Sequence, residues 1–170
     1  MKLKKLGSQW MNSRMKQASI INDLKKMIDY KAGIRNNIEE VIKAFDRLNV
    51  IVPEQVKQFY FHFAGPFGQR PFGGITLLDI VDDDPNIESI TQICREEFKF
   101  PDQYLVVTDY CDVGDVTVLD TLNEKLYKVC LECGEDEDLL NGKLEPTWQS
   151  FNDFLIDFLI SINFPQFISL

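Results

Sequence analysis

"YLVVTDY", "VTVLD" and "KLYKVCLE" all fall within residues 104–132. Each run is short and rich in Val, Leu and Tyr. Polar turns at Cys111–Asp115 and Thr121–Lys125 separate them. Short apolar runs joined by tight turns pair most readily with their sequence neighbours, back and forth. The segment therefore predicts a three-stranded antiparallel meander, which the rest of the chain must cover.

The flanks read as helix. In "NNIEEVIKAFDRLN", Ile38, Val41, Ile42, Phe45 and Leu48 recur at three- and four-residue steps, the spacing of an amphipathic helix. Asn36 or Asn37 can cap it, and Glu39 and Glu40 favour its first turn. Pro53 suits the first position of a second helix, with Val56, Phe59, Tyr60 and Phe63 on its buried face. Gly65-Pro66 and Gly68 would end it. "GGITLLDIV" reads as a strand after a glycine turn. Asp82 to Asp84 and Pro85 lead into a third helix whose stripe is Ile87, Ile90, Ile93 and Cys94. "CGEDEDLLNG" reads as an acidic loop. "PTWQSFNDFLIDFLISI" reads as a closing helix, with Ser150 a cap and Trp148, Phe151, Phe154, Leu155, Phe158 and Leu159 facing the core. Strands gathered between helices predict an α+β fold: a single domain, mainly an antiparallel meander flanked by helices, over residues 34–170. Residues 1–33 read as a basic helical extension in which Ile20, Leu24, Met27 and Ile28 hold helical spacing.

Charge divides the chain. The formal net charge is −9, but residues 1–31 carry eight Lys/Arg against Asp23 and Asp29, a balance of +6, and the remainder carries −15. An acidic body repels phosphate, which excludes nucleic acid as a partner. It complements a basic protein, because opposite fields steer encounter. No apolar run of signal-peptide length follows the basic start, and no stretch of about 18 apolar residues could span a membrane. Four cysteines are too few for a disulfide scaffold at this length, so a cytoplasmic protein with reduced thiols is expected.

The groups that could carry chemistry do not assemble into a site. Asp109, Asp112 and Asp115 lack the alternating ligands and the later glutamate of a calcium loop, and suit a turn between strands. Asp120 ends a strand, where its side chain would bond the next turn. Cys130 and Cys133 form a lone CxxC. They predict structural thiols, with no metal and no disulfide between them in a reducing compartment. His62 has no nucleophile in its neighbourhood. "GPFGQRPFGG" has no P-loop or dinucleotide pattern. No catalytic residue, metal ligand or cofactor is expected. Partner-binding candidates are the turn acids Asp82, Asp83, Asp84 and Asp112 and the run Glu135, Asp136, Glu137 and Asp138. Phe67, Arg70 and Phe72 join them, because Arg and aromatic residues on a loop are common anchors.

Five stretches taken in order resemble a known family. "IEEVIKAFDRLNVIVPEQVKQFYFHFAG" resembles the paired opening helices of the SUKH superfamily, and "GGITLLDI" its first strand. "FPDQYLVVTDYCDVGDVTVLDT" resembles its most recognisable segment, with "KLYKVCLE" and "WQSFNDFLIDFL" following as strand and helix. The turn before the first strand differs, having Ala64-Gly65-Pro66 where the family often has Asn-Gly-Gly. The resemblance implies structural roles for Gly114, Asp115 and Asp120, no catalysis and no required cofactor. It implies either an immunity protein that neutralises a cognate polymorphic toxin, a nuclease among the options, or a regulatory scaffold of the cell-wall glucan-synthesis type.

Overall fold

Helical spacing from Ile38 to Leu48 yields helix α1 (Ile38–Leu48) in the structure, a computed structural model that describes residues 34–65, 75–81, 84–109 and 114–161. The proposed extension at 1–33 lies outside these residues. Helix α1 buries Val41, Ala44, Phe45 and Leu48, and ends at Asn49 in the left-handed region (φ 56°), a conformation Asn tolerates. Ile38 and Ile42, expected in the core, are instead exposed. Helix α2 (Glu54–His62) follows Pro53, which is its N-cap and not its first helical residue. It buries Val56, Phe59 and Tyr60, and stops at His62, ahead of the glycine–proline signal. Helix α3 (Ile87–Glu97) starts with a capping box: Ser89 N donates to the Asn86 side chain at 2.9 Å, and Asn86 N donates to Ser89 Oγ at 3.0 Å.

The meander is present. Strands β1 (Tyr104–Val106), β2 (Asp115–Asp120) and β3 (Leu126–Cys130) lie in the order β1-β2-β3, antiparallel, with Leu105 opposite Leu119 and Leu119 opposite Leu126. Val106, Val107, Val116, Val118, Leu119, Leu126 and Val129 are all buried. Asp120 accepts from Leu122 N at 2.9 Å, the bond expected of a strand-ending aspartate. Gly114 has φ +71°, and a Cβ there would come within 2.8 Å of Glu132 Cγ, so glycine suits the entry to β2 on both counts.

Four expectations need correction. The described part of "GGITLLDIV", residues 75–81, holds no regular strand. Leu77 makes one isolated bridge to Thr108, through Leu78 N to Val107 O (2.9 Å) and Asp109 N to Thr76 O (3.1 Å). The pairing stops because the Asp79 carboxylate accepts from Val81 N, two residues on, at 2.9 Å, a local turn that pulls the backbone out of line. The acidic loop is in part a helix, α4 (Glu135–Leu140), after a 3₁₀ turn (Leu131–Cys133). Buried Leu139 anchors it, and its acids occupy the first turn, where the helix dipole favours them. Cys130 and Cys133 are joined in a disulfide, because the 3₁₀ turn brings their Cα atoms to 5.2 Å, inside bridging range. Trp148 belongs to no helix: helix α5 runs Phe151–Ser161, and Trp148 pairs with Leu126 in an isolated bridge. The Ser150 cap holds, with Asp153 N donating to Ser150 Oγ at 3.2 Å.

An aromatic seam joins the helices. Phe59 meets Tyr60 at 4.9 Å and Phe151 at 5.6 Å between centroids, and Phe154 packs edge-on to Trp148 at 5.1 Å. Five α-helices and one three-stranded sheet among the described residues make a single α+β domain.

Candidate functional site

The described candidate acids fall on two separate elements. Asp82, Asp83 and Asp112, with Phe67, Arg70 and Phe72, lie outside the described residues. Asp84 accepts from Ser89 Oγ at 3.1 Å at the entry to α3, which packs against β1. Glu135 to Asp138 sit on α4, which packs against β3. The two edge strands of the sheet therefore separate Asp84 from the acidic helix.

Within α4 the four carboxylates have different work. An edge strand leaves every second N–H pointing outward, and each needs an acceptor. On β3 those donors are Leu126, Lys128 and Cys130. Leu126 N donates to Trp148 O at 3.0 Å, Lys128 N to Thr147 Oγ1 at 3.1 Å, and Cys130 N to Glu135 Oε2 at 2.8 Å. Glu135 is half-buried and closes the sheet edge. The disulfide and the 3₁₀ turn hold the chain so that α4 returns to β3 with this carboxylate in place. Asp138 lies 3.9 Å from Lys143 Nζ, a weak exposed pair. Glu137 is exposed and Asp136 half-buried, and neither side chain bonds another described residue. Asp115 pairs with Lys128 at 2.5 Å on the same side of the hairpin.

The β1 edge is closed as well. Val106 N donates to Thr91 Oγ1 of α3 at 3.0 Å. Val107 N still donates to Thr117 O of β2 at 2.9 Å, but Val107 O accepts from Leu78 N of the outer segment, and Thr117 N takes Thr108 Oγ1 at 2.7 Å. With both edges occupied, added-strand recognition is blocked at these positions. Side chains and surface charge remain for a partner to read.

Behind the 76–79 segment is a buried ion pair that sequence reading missed. Arg35 Nη2 contacts both Asp79 oxygens, at 2.5 and 2.6 Å, and Arg35 Nε reaches Phe63 O at 3.3 Å. Gly65 N also donates to Asp79. Tyr60 donates its hydroxyl to Leu78 O at 3.0 Å. Burial, then the nearby Asp79 charge, pushes this phenol well above its ordinary range. The pair crosses 44 residues of chain, so no local pattern reports it. Its one sequence signal was a lone Asp inside the apolar run "ITLLDIV", since charge is rarely buried without a partner.

None of these groups is arranged for covalent chemistry. His62 Nδ1 is 2.7 Å from Gln58 O of its own helix. Cys94 is a buried free thiol pushed up to about 12 by burial, then by Glu97, so it stays protonated at neutral pH. Among the described residues no three His, Cys, Asp or Glu side chains converge on a metal position, and no helix is long and apolar enough to cross a membrane.

The model of the SMI1/KNR4 family (SUKH-1) matches residues 36–157, from just before α1 into α5, and the chain belongs to that family. Membership supports an immunity-protein or regulator type of function, generally non-catalytic. No curated protein matches the chain significantly.

Proposed function

We propose, from membership of the SMI1/KNR4 family (SUKH-1), that the chain is an immunity-type binding protein that docks on a basic toxin domain through acidic surface and holds it inactive. The observation that carries this reading is the −15 balance of residues 32–170. A toxin that cleaves nucleic acid needs a cationic groove for phosphate. An acidic protein seated there would compete with the substrate and be steered to it by the same field. Asp136, Glu137 and Asp138 are the described candidates best placed to contribute, because Glu135 is committed to the sheet edge. Asp82, Asp83, Asp84 and Asp112, with Phe67, Arg70 and Phe72, remain candidates for the rest of the contact.

The test is co-purification with the product of the neighbouring gene, followed by rapid-mixing kinetics. A stable complex that abolishes the toxin's activity is expected. Its association rate should fall steeply as salt rises to about 0.5 M, where the Debye length is only a few Å. Asp136→Asn/Glu137→Gln/Asp138→Asn should slow association at low salt and matter little at high salt. A partner that binds without being inhibited would favour the regulatory scaffold of the same family.

A further inference from the structure

We propose that residues 20–28 of this chain cover an apolar stripe that α1 leaves open. Ile34 is 50% exposed, Ile38 43% and Ile42 45%. Single exposed isoleucines mean little, but Ile38 and Ile42 share one helix face, and Ile34, bridged to Phe63, lies just ahead of that helix. Ile38 and Ile42 lie one turn apart on α1, beside its buried face of Val41, Ala44, Phe45 and Leu48. At 100° per residue, Glu39 and Asp46 border the outer side of that turn, and both are exposed. The result is an apolar strip with an acidic rim.

Length, pattern and charge select the occupant. Thirty-three residues precede Ile34, where the described chain begins, four residues ahead of Ile38. Within them Ile20, Leu24, Met27 and Ile28 hold four- and three-residue spacing, and Lys25 and Lys26 stand among them. That complements the strip: an apolar face in a segment where Lys25 and Lys26 outnumber Asp23, to meet Glu39 and Asp46. The six residue steps from Ile28 to Ile34 can reach ~20 Å. Ile38 to Ile42 is only about 6 Å along the helix axis. The segment can therefore double back along α1. A tethered segment competes at an effective concentration near the millimolar range, whereas a second copy must also offset lost translational freedom. The inference is independent of the toxin reading, since it concerns a face formed by α1 and not by α4.

Hydrogen–deuterium exchange on the full chain tests it. Amides of 20–28 should exchange at least about tenfold more slowly than in the isolated peptide, independently of protein concentration. In Ile38→Asp/Ile42→Asp that protection should be lost while β2 amides stay protected, which reads folding separately. Leu24→Asp/Ile28→Asp should lose the same protection, and serves alone if the first variant unfolds. Absence of protection in the unaltered chain overturns the proposal. So does protection that survives both variants. Protection that disappears on dilution together with a sedimenting dimer assigns the stripe to a second copy, and also overturns it.

Discussion

At the β1 edge of the sheet, the outward Val106 N–H is held by a threonine hydroxyl that is itself buried, beside a segment fixed by the Arg35–Asp79 pair. At the β3 edge, the outward N–H groups are held by Thr147, Trp148 and Glu135, residues that are exposed or half-exposed. The backbone need is identical. The difference lies in what happens when a partner is removed. In the core nothing replaces the lost acceptor, so the full desolvation penalty appears. At the surface water can move in. The first edge should be where stability is concentrated, and the second where sequence can change to suit a partner.

The largest test of that contrast is Asp79→Ala. It removes the carboxylate that neutralises the buried Arg35 guanidinium and that accepts from the half-buried Val81 and Gly65 N–H groups. Urea denaturation should register a loss of about 3–5 kcal/mol. Arg35→Leu/Asp79→Leu should lose less than the single change, because no charge is left unpaired. A loss below about 1 kcal/mol for Asp79→Ala would mean water reaches the pair, and the two edges would not differ in kind. Next in size is Thr91→Val, which keeps the shape but leaves Val106 N without its acceptor. A cost of about 1–3 kcal/mol is expected, largely recovered in Thr91→Ser.

The same contrast explains what could be read in advance. The meander, the Asp120 turn and most of the α1 to α3 stripes depend on neighbours within a few residues, so period and turn chemistry report them, although Ile38, Ile42 and Ile93, which the same period assigns to the stripes, are exposed. The Arg35–Asp79 pair and the Thr91 cap depend on contacts 44 and 15 residues apart, which no window captures. "EDED" misled for a different reason. Its composition is that of a solvated turn, yet Leu139 supplies one buried anchor and Glu135 one backbone bond, enough to fix a short helix. Cys130 and Cys133 read as structural thiols because the CxxC stands alone at a strand end and a reducing compartment is expected. The 3₁₀ turn after Cys130 turns them together.

The cysteines sharpen the comparison further. Cys94, on the β1 side, has its thiol raised to about 12 by burial. In the unfolded chain it titrates near 8.5. The unfolded state therefore gives up the proton first, and the contribution is complete at neutral pH. Stability should fall between about pH 9 and 12 at up to about 1.4 kcal/mol per pH unit. Tyr60 and Tyr104 are raised as well, so they add to the loss only above their ordinary range near pH 10. Between about pH 9 and 10 the slope belongs mainly to Cys94, and Cys94→Ala should flatten it there. An unchanged slope would place its source elsewhere.

The smallest effect is expected at Glu135, and it separates the two roles a carboxylate can have on this surface. Glu135→Ala removes the acceptor for Cys130 N at a half-exposed edge, so a cost of about 0.5–1.5 kcal/mol is expected. Glu135→Gln keeps an oxygen in place and should be close to neutral in denaturation. Its effect on binding should also be close to neutral if the carboxylate serves the sheet and its charge does not serve a partner. Asp136→Asn/Glu137→Gln/Asp138→Asn should do the reverse, leaving the unfolding midpoint unchanged and slowing association with a basic partner at low salt. A Glu135→Gln protein that is stable but associates as slowly as the triple variant would show that the edge-closing group is also read by the partner. The β3 edge would then be part of the recognition surface itself, and the division between a structural carboxylate and three recognition carboxylates on one short helix would fail.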